Sequence, residues 1–229
     1  MIGVIVNTIA VIIGSLAGLL FRKGIPQKYK DAIMQAIGLC TIYIGVQGLM
    51  QGQNALVAII SMVVGVALGT GFDLDGKVNG VGEAVQAKFA KSGGESTVAQ
   101  GMVTAFLLWC VGAMTIVGSL QAGITGDCQT LYTKSILDLI SSMMLASSLG
   151  IGVLLSAGTV FIIQGGLVLL AGVIAPFMNA GAINEMTCAG SLLIVMIGTN
   201  LMGITKIKVA DYLPAILFAP ILYNIIALF

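Results

Sequence analysis

The sequence predicts an all-α polytopic membrane protein with about eight transmembrane helices, in a single transmembrane domain over residues 1–229. Hydrophobic residues make up 58% of the chain and charged residues only 8%, whereas a soluble domain carries about 25% charged residues. The apolar residues lie in runs of about 20, which is the length that crosses a bilayer. These observations exclude a soluble protein with a core and a polar shell, and they make the lipid bilayer a partner of the protein.

The first apolar run is expected to be retained as a span. Its basic residues, Arg22 and Lys23, follow the run, whereas a cleavable signal peptide carries them in front. The stretch 136–176 can also be divided in other ways. The predicted spans are 2–21, 33–50, 54–72, 98–122, 136–153, 156–176, 187–204 and 209–228.

Lysine and arginine predict the orientation, because cytoplasmic loops of membrane proteins carry an excess of both residues. All of the ten basic residues except Lys134 lie in the first, third and seventh connections, which emerge on one face. We therefore expect these loops in the cytoplasm and both termini outside. The third connection, 73–97, has apolar residues at helical spacing, which predicts either an amphipathic helix in the cytoplasmic interface or a solvated linker helix.

Two pairs of spans share carboxamide residues at similar offsets. A shift of 157 aligns Asn7 with Gln164, and a shift of 153 aligns Gln47 with Asn200. The aligned spans are five spans apart, so they cross the membrane in opposite directions. The pattern therefore indicates an inverted three-helix repeat. Its halves are 1–72 and 156–229, and they enclose a central segment, 98–153. Spans 3 and 8 show no convincing match. The four amides either converge on one site or form hydrogen bonds that hold the helices together.

The central segment holds three ionisable residues, Asp127, Lys134 and Asp138, between two long apolar runs. A charge deep in a bilayer costs at least about 2.5 kcal/mol, so such residues usually have a function. If 127–142 is helical, these residues form a stripe on one face together with Leu131 and Ser142. Lys134 and Asp138 are then within reach of each other, and Asp127 is left without a partner, as in a site that binds a cation or relays a proton.

Two other interpretations of the central segment are open. Ser135 to Asp138 fits a capping box at the start of span 5, in which Asp138 accepts bonds from free backbone N–H groups. Residues 123–126 could also form an exterior turn, which would leave Asp127 and Lys134 in water.

Span 4 is rich in glycine, which lowers helix propensity, so we expect it to be broken inside the membrane. A broken helix exposes backbone groups that can coordinate ions, provided that they face protein or a watery cavity. We therefore predict a re-entrant segment near 118–134, with an ion or substrate site around it. The candidate binding residues are Asp127, Lys134, Asp138, Ser119, Gln121, Thr115, Asn7, Gln164, Gln47 and Asn200.

The residue types present argue against several kinds of site. The chain has no histidine and its four cysteines are widely separated, so we expect no metal site and no cofactor. No basic patch with interleaved aromatic residues is present, so we expect no nucleic-acid partner. Asp127 and Asp138 lie on one short stretch, whereas an aspartyl dyad opposes carboxylates from separate elements. We therefore expect no enzyme and no catalytic residue.

Several motifs along nearly the whole chain carry a family resemblance. They are Gly38–Gly45, Val111–Gln121, Gly126-Asp127, Thr133–Asp138, Gln164-Gly165 and Leu213–Ala215 with Ala219-Pro220. These motifs resemble the YqgA-like family of bacterial inner-membrane proteins known as domain of unknown function 554 (DUF554). The resemblance implies a bacterial plasma-membrane location and brings no substrate with it. Leu139 and Ile163 depart from the Gly and Tyr that the resemblance leads us to expect.

The combination of repeat, broken span and intramembrane charges favours a small transporter or channel for an ion, either a cation or proton-coupled, or for a small solute. The alternative is a non-transporting membrane scaffold, sensor or accessory subunit. An intramembrane enzyme is a third and weaker hypothesis. A homo-oligomer is compatible with each of them.

Overall fold

The computed structural model describes residues 1–21, 27–80, 97–110 and 113–226. Within these ranges the secondary structure is entirely helical, which confirms the predicted all-α class. Residues 81–96, most of the predicted amphipathic linker, lie outside the described residues. The α-helices are α1 (Ile2–Phe21), α2 (Gln27–Leu49), α3 (Ala55–Gly71), α4 (Leu74–Gly80), α5 (Thr97–Cys110), α6 (Ala113–Ile124), α7 (Gln129–Leu149), α8 (Ile151–Leu169), α9 (Ala171–Ile174), α10 (Ala180–Leu201) and α11 (Pro214–Ile226).

Each predicted span overlaps a helix, but the count of eight stays a prediction. In the described part of the chain, 4 helical segments are by themselves long and apolar enough to cross a membrane, namely α1, α8, α10 and Val209–Ile226. The number rises to 6 if each of two bent helix pairs counts as one span. The angle is 57° between α3 and α4 and 59° between α5 and α6.

The bend between α5 and α6 agrees with the predicted break in span 4. The hydroxyl of Thr115 donates a 2.6 Å hydrogen bond to the carbonyl of Trp109, near the end of α5. The described part of α6 has 12 residues, which corresponds to about 18 Å. The re-entrant course of 118–134 stays a prediction.

The helices form two compact units, each of which takes segments from both predicted repeat halves. The first unit comprises Met1–Met34, Gly76–Cys110 and Met114–Ala171. The second unit comprises Gln35–Asp75, Val111–Ala113 and Gly172–Phe229.

Glycine allows α1 to lie directly on the backbone of α7 in the first unit. A Cβ atom at Gly14 would clash with the carbonyl oxygen of Leu139, and one at Gly18 would clash with the carbonyl oxygen of Met143. Small residues four apart let membrane helices approach closely. The close approach carries the polar residues of α1 toward α7.

The turn between α7 and α8 consists of one residue, Gly150. Its φ angle of 79° is positive, a conformation that glycine adopts without steric cost. Since α7 ends at Leu149 and α8 begins at Ile151, the predicted end of span 5 at 153 was wrong, while its start at 136 stays a prediction.

Close helix contacts also occur in the second unit. A Cβ atom at Gly65 of α3 would lie 2.5 Å from the backbone nitrogen of Ala215, at the start of α11. Val57, Ala189 and Ala219 form a buried apolar cluster that joins α3, α10 and α11. The second unit is therefore also packed through small side chains.

We predict that Gly14→Ala destabilises the protein by about 2 kcal/mol, within the usual range for overpacking, because the added methyl group meets a backbone carbonyl that cannot rotate away. Gly158→Ala on α8 is the matched control, because nothing lies within 4 Å of its added Cβ atom. Thermal unfolding in detergent, followed by size-exclusion chromatography, measures both variants. Equal melting temperatures for the two variants would contradict the observed packing of α1 on α7.

Candidate functional site

Four polar side chains from three helices meet inside the first unit. Asn7 belongs to α1, Lys134 and Asp138 belong to α7, and Gln164 belongs to α8. Asn7 and Gln164 are 0% exposed, Asp138 is 3% exposed and Lys134 is 6% exposed. Asp138 lies near the middle of the 21-residue helix α7. The cluster therefore brings together four of the predicted binding residues.

The Lys134–Asp138 ion pair is the centre of this cluster. The ammonium nitrogen Nζ of Lys134 donates to both carboxylate oxygens of Asp138, at 2.8 and 2.7 Å. The amide Nδ2 of Asn7 donates to Oδ2 of Asp138 at 3.0 Å and to Oε1 of Gln164 at 3.2 Å. The predicted pairing of Lys134 with Asp138 is thus present, and the two aligned carboxamides of the predicted repeat are in direct contact.

Hydrogen-bonding rules fix the orientation of both amides. An ionised carboxylate can only accept hydrogen bonds, so Asn7 must present its NH₂ group to Asp138. The Asn7 nitrogen then requires an acceptor on Gln164, which places Oε1 of Gln164 toward Asn7. This arrangement leaves Oδ1 of Asn7 and Nε2 of Gln164 buried without a hydrogen-bond partner. One free acceptor and one free donor therefore flank the ion pair.

The predicted stripe on α7 is present from Leu131 to Ser142. The capping role of Asp138 was wrong, because the helix begins at Gln129 and Ser135 donates to the carbonyl of Leu131 inside it.

Asp127 lies outside the buried cluster. It is exposed in the turn between α6 and α7, and its Oδ1 accepts a 2.9 Å bond from the backbone of Gln129. A turn therefore forms where one interpretation placed it, but Lys134 is buried instead of lying in water.

The remaining candidates lie apart from the ion pair or make other bonds. The hydroxyl of Ser119 is buried without a partner, and Gln121 is exposed and accepts a bond from Thr130. In the second unit, Gln47 donates to the hydroxyl of Tyr43. Asn200 bonds the backbone of residue 207 through both ends of its amide. The convergence of all four carboxamides stays a prediction.

Two buried acids of the second unit were missed by the sequence analysis. Glu185 is 0% exposed and Asp211 is 5% exposed. Oε1 of Glu185 accepts from the backbone N–H groups of Gln53 and Asn54, and Oδ1 of Asp211 accepts from the backbone of Asp75. For Glu185 the available signal was an acid inside an apolar helix, which is the same signal that had identified Asp138. Among the described residues no group of three His, Cys, Asp or Glu could hold a metal ion.

We predict that Lys134→Met destabilises the protein by about 3–5 kcal/mol, because it leaves the Asp138 carboxylate buried without its cation. Adding Asp138→Leu should recover most of this loss, because the double variant has no buried charge at this position. Lys206→Met is the control, because Lys206 is exposed. Thermal unfolding in detergent compares the variants. A Lys134→Met protein as stable as the Lys206→Met protein would contradict a buried ion pair.

Comparisons with known proteins identify the family. The family described as "Protein of unknown function (DUF554)" matches residues 2–224. The chain is 35% identical over 233 residues to "Uncharacterized membrane protein YdfK" of Bacillus subtilis (strain 168), covering 100% of this chain and 98% of that protein. It is 28% identical over 221 residues to "Uncharacterized protein YqgA" of Escherichia coli (strain K12), covering 95% and 94%. No solved structure matches the chain. The chain therefore belongs to the DUF554 family and is a membrane protein, as its motifs and apolar helices indicated.

Proposed function

We propose that this protein transports an ion or a small solute across the bacterial inner membrane, with coupling to a cation or proton at the Lys134–Asp138 pair. The observation that carries the proposal is the burial of this pair near the middle of α7, in contact with amides from α1 and α8. Ionisable residues within membrane segments usually mark ion pathways or proton relays. A purely structural role is a weak explanation, because well-packed apolar residues often replace a buried ion pair without loss of stability.

The cluster has the chemistry of an exchange site. Lys134 occupies both oxygens of Asp138, so a cation or proton that binds Asp138 competes with the ammonium group. The buried unpartnered atoms on Asn7 and Gln164 each carry a desolvation penalty of about 1–3 kcal/mol. A small polar ligand that bonds these atoms would remove this penalty. The coupling ion would bind at Asp138 and the solute at Asn7 and Gln164. Both would therefore change the same hydrogen-bond network.

Contacts in the second unit support an inverted repeat, as found in many secondary transporters. A Cβ atom at Gly45 of α2 would lie 2.6 Å from the side chain of Val195 and 3.1 Å from the carbonyl oxygen of Ser191. The predicted offset of 153 pairs each of these positions with an equivalent position in the other helix. Gly45 pairs with Gly198, Val195 with Ile42, and Ser191 with Gly38.

The equivalent positions make the same contacts. A Cβ atom at Gly198 would lie 2.5 Å from the side chain of Ile42 and 2.8 Å from the carbonyl oxygen of Gly38. Any antiparallel helix pair has approximate two-fold geometry, so the informative point is that glycine occupies both equivalent positions.

The first unit adds a contact between two aligned residues. Asn7 and Gln164 are 157 residues apart and are hydrogen-bonded to each other. A residue that touches its own repeat equivalent lies on the local two-fold axis, and transporters with inverted repeats bind substrate near such a position. An ion pair beside this axis could be exposed to either face of the membrane by equivalent movements of the two repeats.

We also propose that the basic loops face the cytoplasm and that both termini lie outside. The support is the distribution of lysine and arginine between connections. Lys77, Lys206 and Lys208 are exposed, as this orientation requires.

We predict that Asp138→Asn lowers transport by about tenfold or more, because asparagine keeps the shape of aspartate but cannot carry its charge. Proteoliposomes with a trapped pH-sensitive dye, exposed to imposed sodium or potassium gradients and then to small metabolites, measure the activity. Asp73→Asn is the matched control, because Asp73 is exposed and its φ angle of 49° lies in a region that asparagine tolerates well.

Equal flux through the Asp138→Asn and wild-type proteins would contradict the proposed role of the pair. Absence of flux for every ion and metabolite, with repeated recovery of one protein partner from membranes, would favour the scaffold or accessory role instead.

A further inference from the structure

Glu185 occupies a second buried polar position, in the second unit. It lies in the second turn of α10 and is 0% exposed. Its Oε1 accepts hydrogen bonds from the backbone N–H groups of Gln53 at 2.7 Å and Asn54 at 2.8 Å. Asn54 is also the N-cap of α3, and its own side chain accepts from the backbone of Leu56. The Glu185 carboxylate therefore meets the N-terminal end of a 17-residue helix.

The charge of Glu185 is only partly compensated by these contacts. A helix N-terminus supplies the equivalent of about half a positive charge. Over residues 1–21, 27–80, 97–110 and 113–226, the observed ion pair is Lys134 with Asp138, and Glu185 has no basic partner within 4.0 Å. Its second oxygen, Oε2, is buried and has no hydrogen-bond partner. One carboxylate oxygen thus receives two donors while the other receives none.

Among the described residues, the side chains that pack near Glu185 supply no positive charge. Cys188 lies one turn further along α10 and packs against Gly52. Tyr223 of α11 packs against Gly181, one turn before Glu185. The connection 51–54 contains no ionisable side chain. The titratable groups next to Glu185 are therefore a thiol and a phenol, neither of which becomes a cation.

We infer that Oε2 of Glu185 binds a monovalent metal cation. A divalent ion is disfavoured, because calcium and magnesium require several oxygen ligands and no cluster of three acidic or thiol groups exists among the described residues. Gln51 and Gln53 of the adjoining connection are exposed. The bound charge would fix the contact between the start of α10 and the start of α3. This inference does not depend on the proposed transport at Asp138.

The test measures the melting temperature in sodium, in potassium and in N-methyl-D-glucamine at constant ionic strength and pH. Binding to the folded state raises the melting temperature, so the bound cation is identified by which series responds. The part of the wild-type response that Glu185 contributes should disappear in Glu185→Gln and persist in Asp73→Asn. It should also persist in Asp138→Asn. Loss of the response in Asp138→Asn instead of Glu185→Gln would assign the cation to the ion pair and overturn the inference.

Hydrogen–deuterium exchange of the wild-type protein provides a measurement that does not depend on any variant. Relative to N-methyl-D-glucamine at the same pH, the bound cation should slow exchange by about threefold or more in peptides covering 51–57 and 181–189. No change in melting temperature in any series, or changes in exchange confined to other peptides, would overturn the inference.

Discussion

Burial of a lysine and an aspartate on one helix is the constraint on which the first unit depends. Removing two charges from water costs several kcal/mol per ion, and their attraction offsets this cost only with good geometry and additional hydrogen bonds. Asp138 meets this condition through two bonds from Lys134 and one from Asn7. Asn7 is brought within reach by the close contact of α1 with α7 at Gly14 and Gly18. The glycine contacts and the ion pair therefore depend on each other.

The two units stabilise buried acids in different ways. In the first unit a lysine side chain neutralises Asp138, so the cluster carries no net charge. In the second unit, backbone N–H groups stabilise Glu185 and Asp211. Backbone groups supply partial charges and no full cation. At Asp138, an incoming cation would compete with the Lys134 ammonium group. At Glu185, which has only backbone donors, a cation could be added without displacing another charge.

Much of the fold and part of the site could be predicted from sequence. Hydropathy predicted the helices, because each membrane segment must satisfy its own backbone groups. Helical spacing predicted the contact of Lys134 with Asp138, and a constant offset paired Asn7 with Gln164. The start of α7 was missed, because Ser135 to Asp138 has the composition of a capping box while the helix already begins at Gln129.

The role of Glu185 required long-range information. Its partners are backbone groups more than 130 residues away in the sequence. Nearly every residue carries a backbone N–H group, so the amino-acid type does not identify such a donor. The same limit applies to Asn200, whose amide bonds a nearby backbone segment that any sequence could provide. Side-chain pairs on one helix are therefore far easier to predict than contacts between a side chain and a distant backbone.

The most direct test of the account is a nitrogen–carbon dipolar-coupling measurement by solid-state NMR on the protein in lipid bilayers. The sample would carry ¹⁵N in lysine side chains and ¹³C in aspartate carboxyl groups. The account predicts a strong short-range coupling that is lost in Lys134→Gln. Absence of this coupling, or a coupling that Lys134→Gln leaves unchanged, would contradict the buried ion pair.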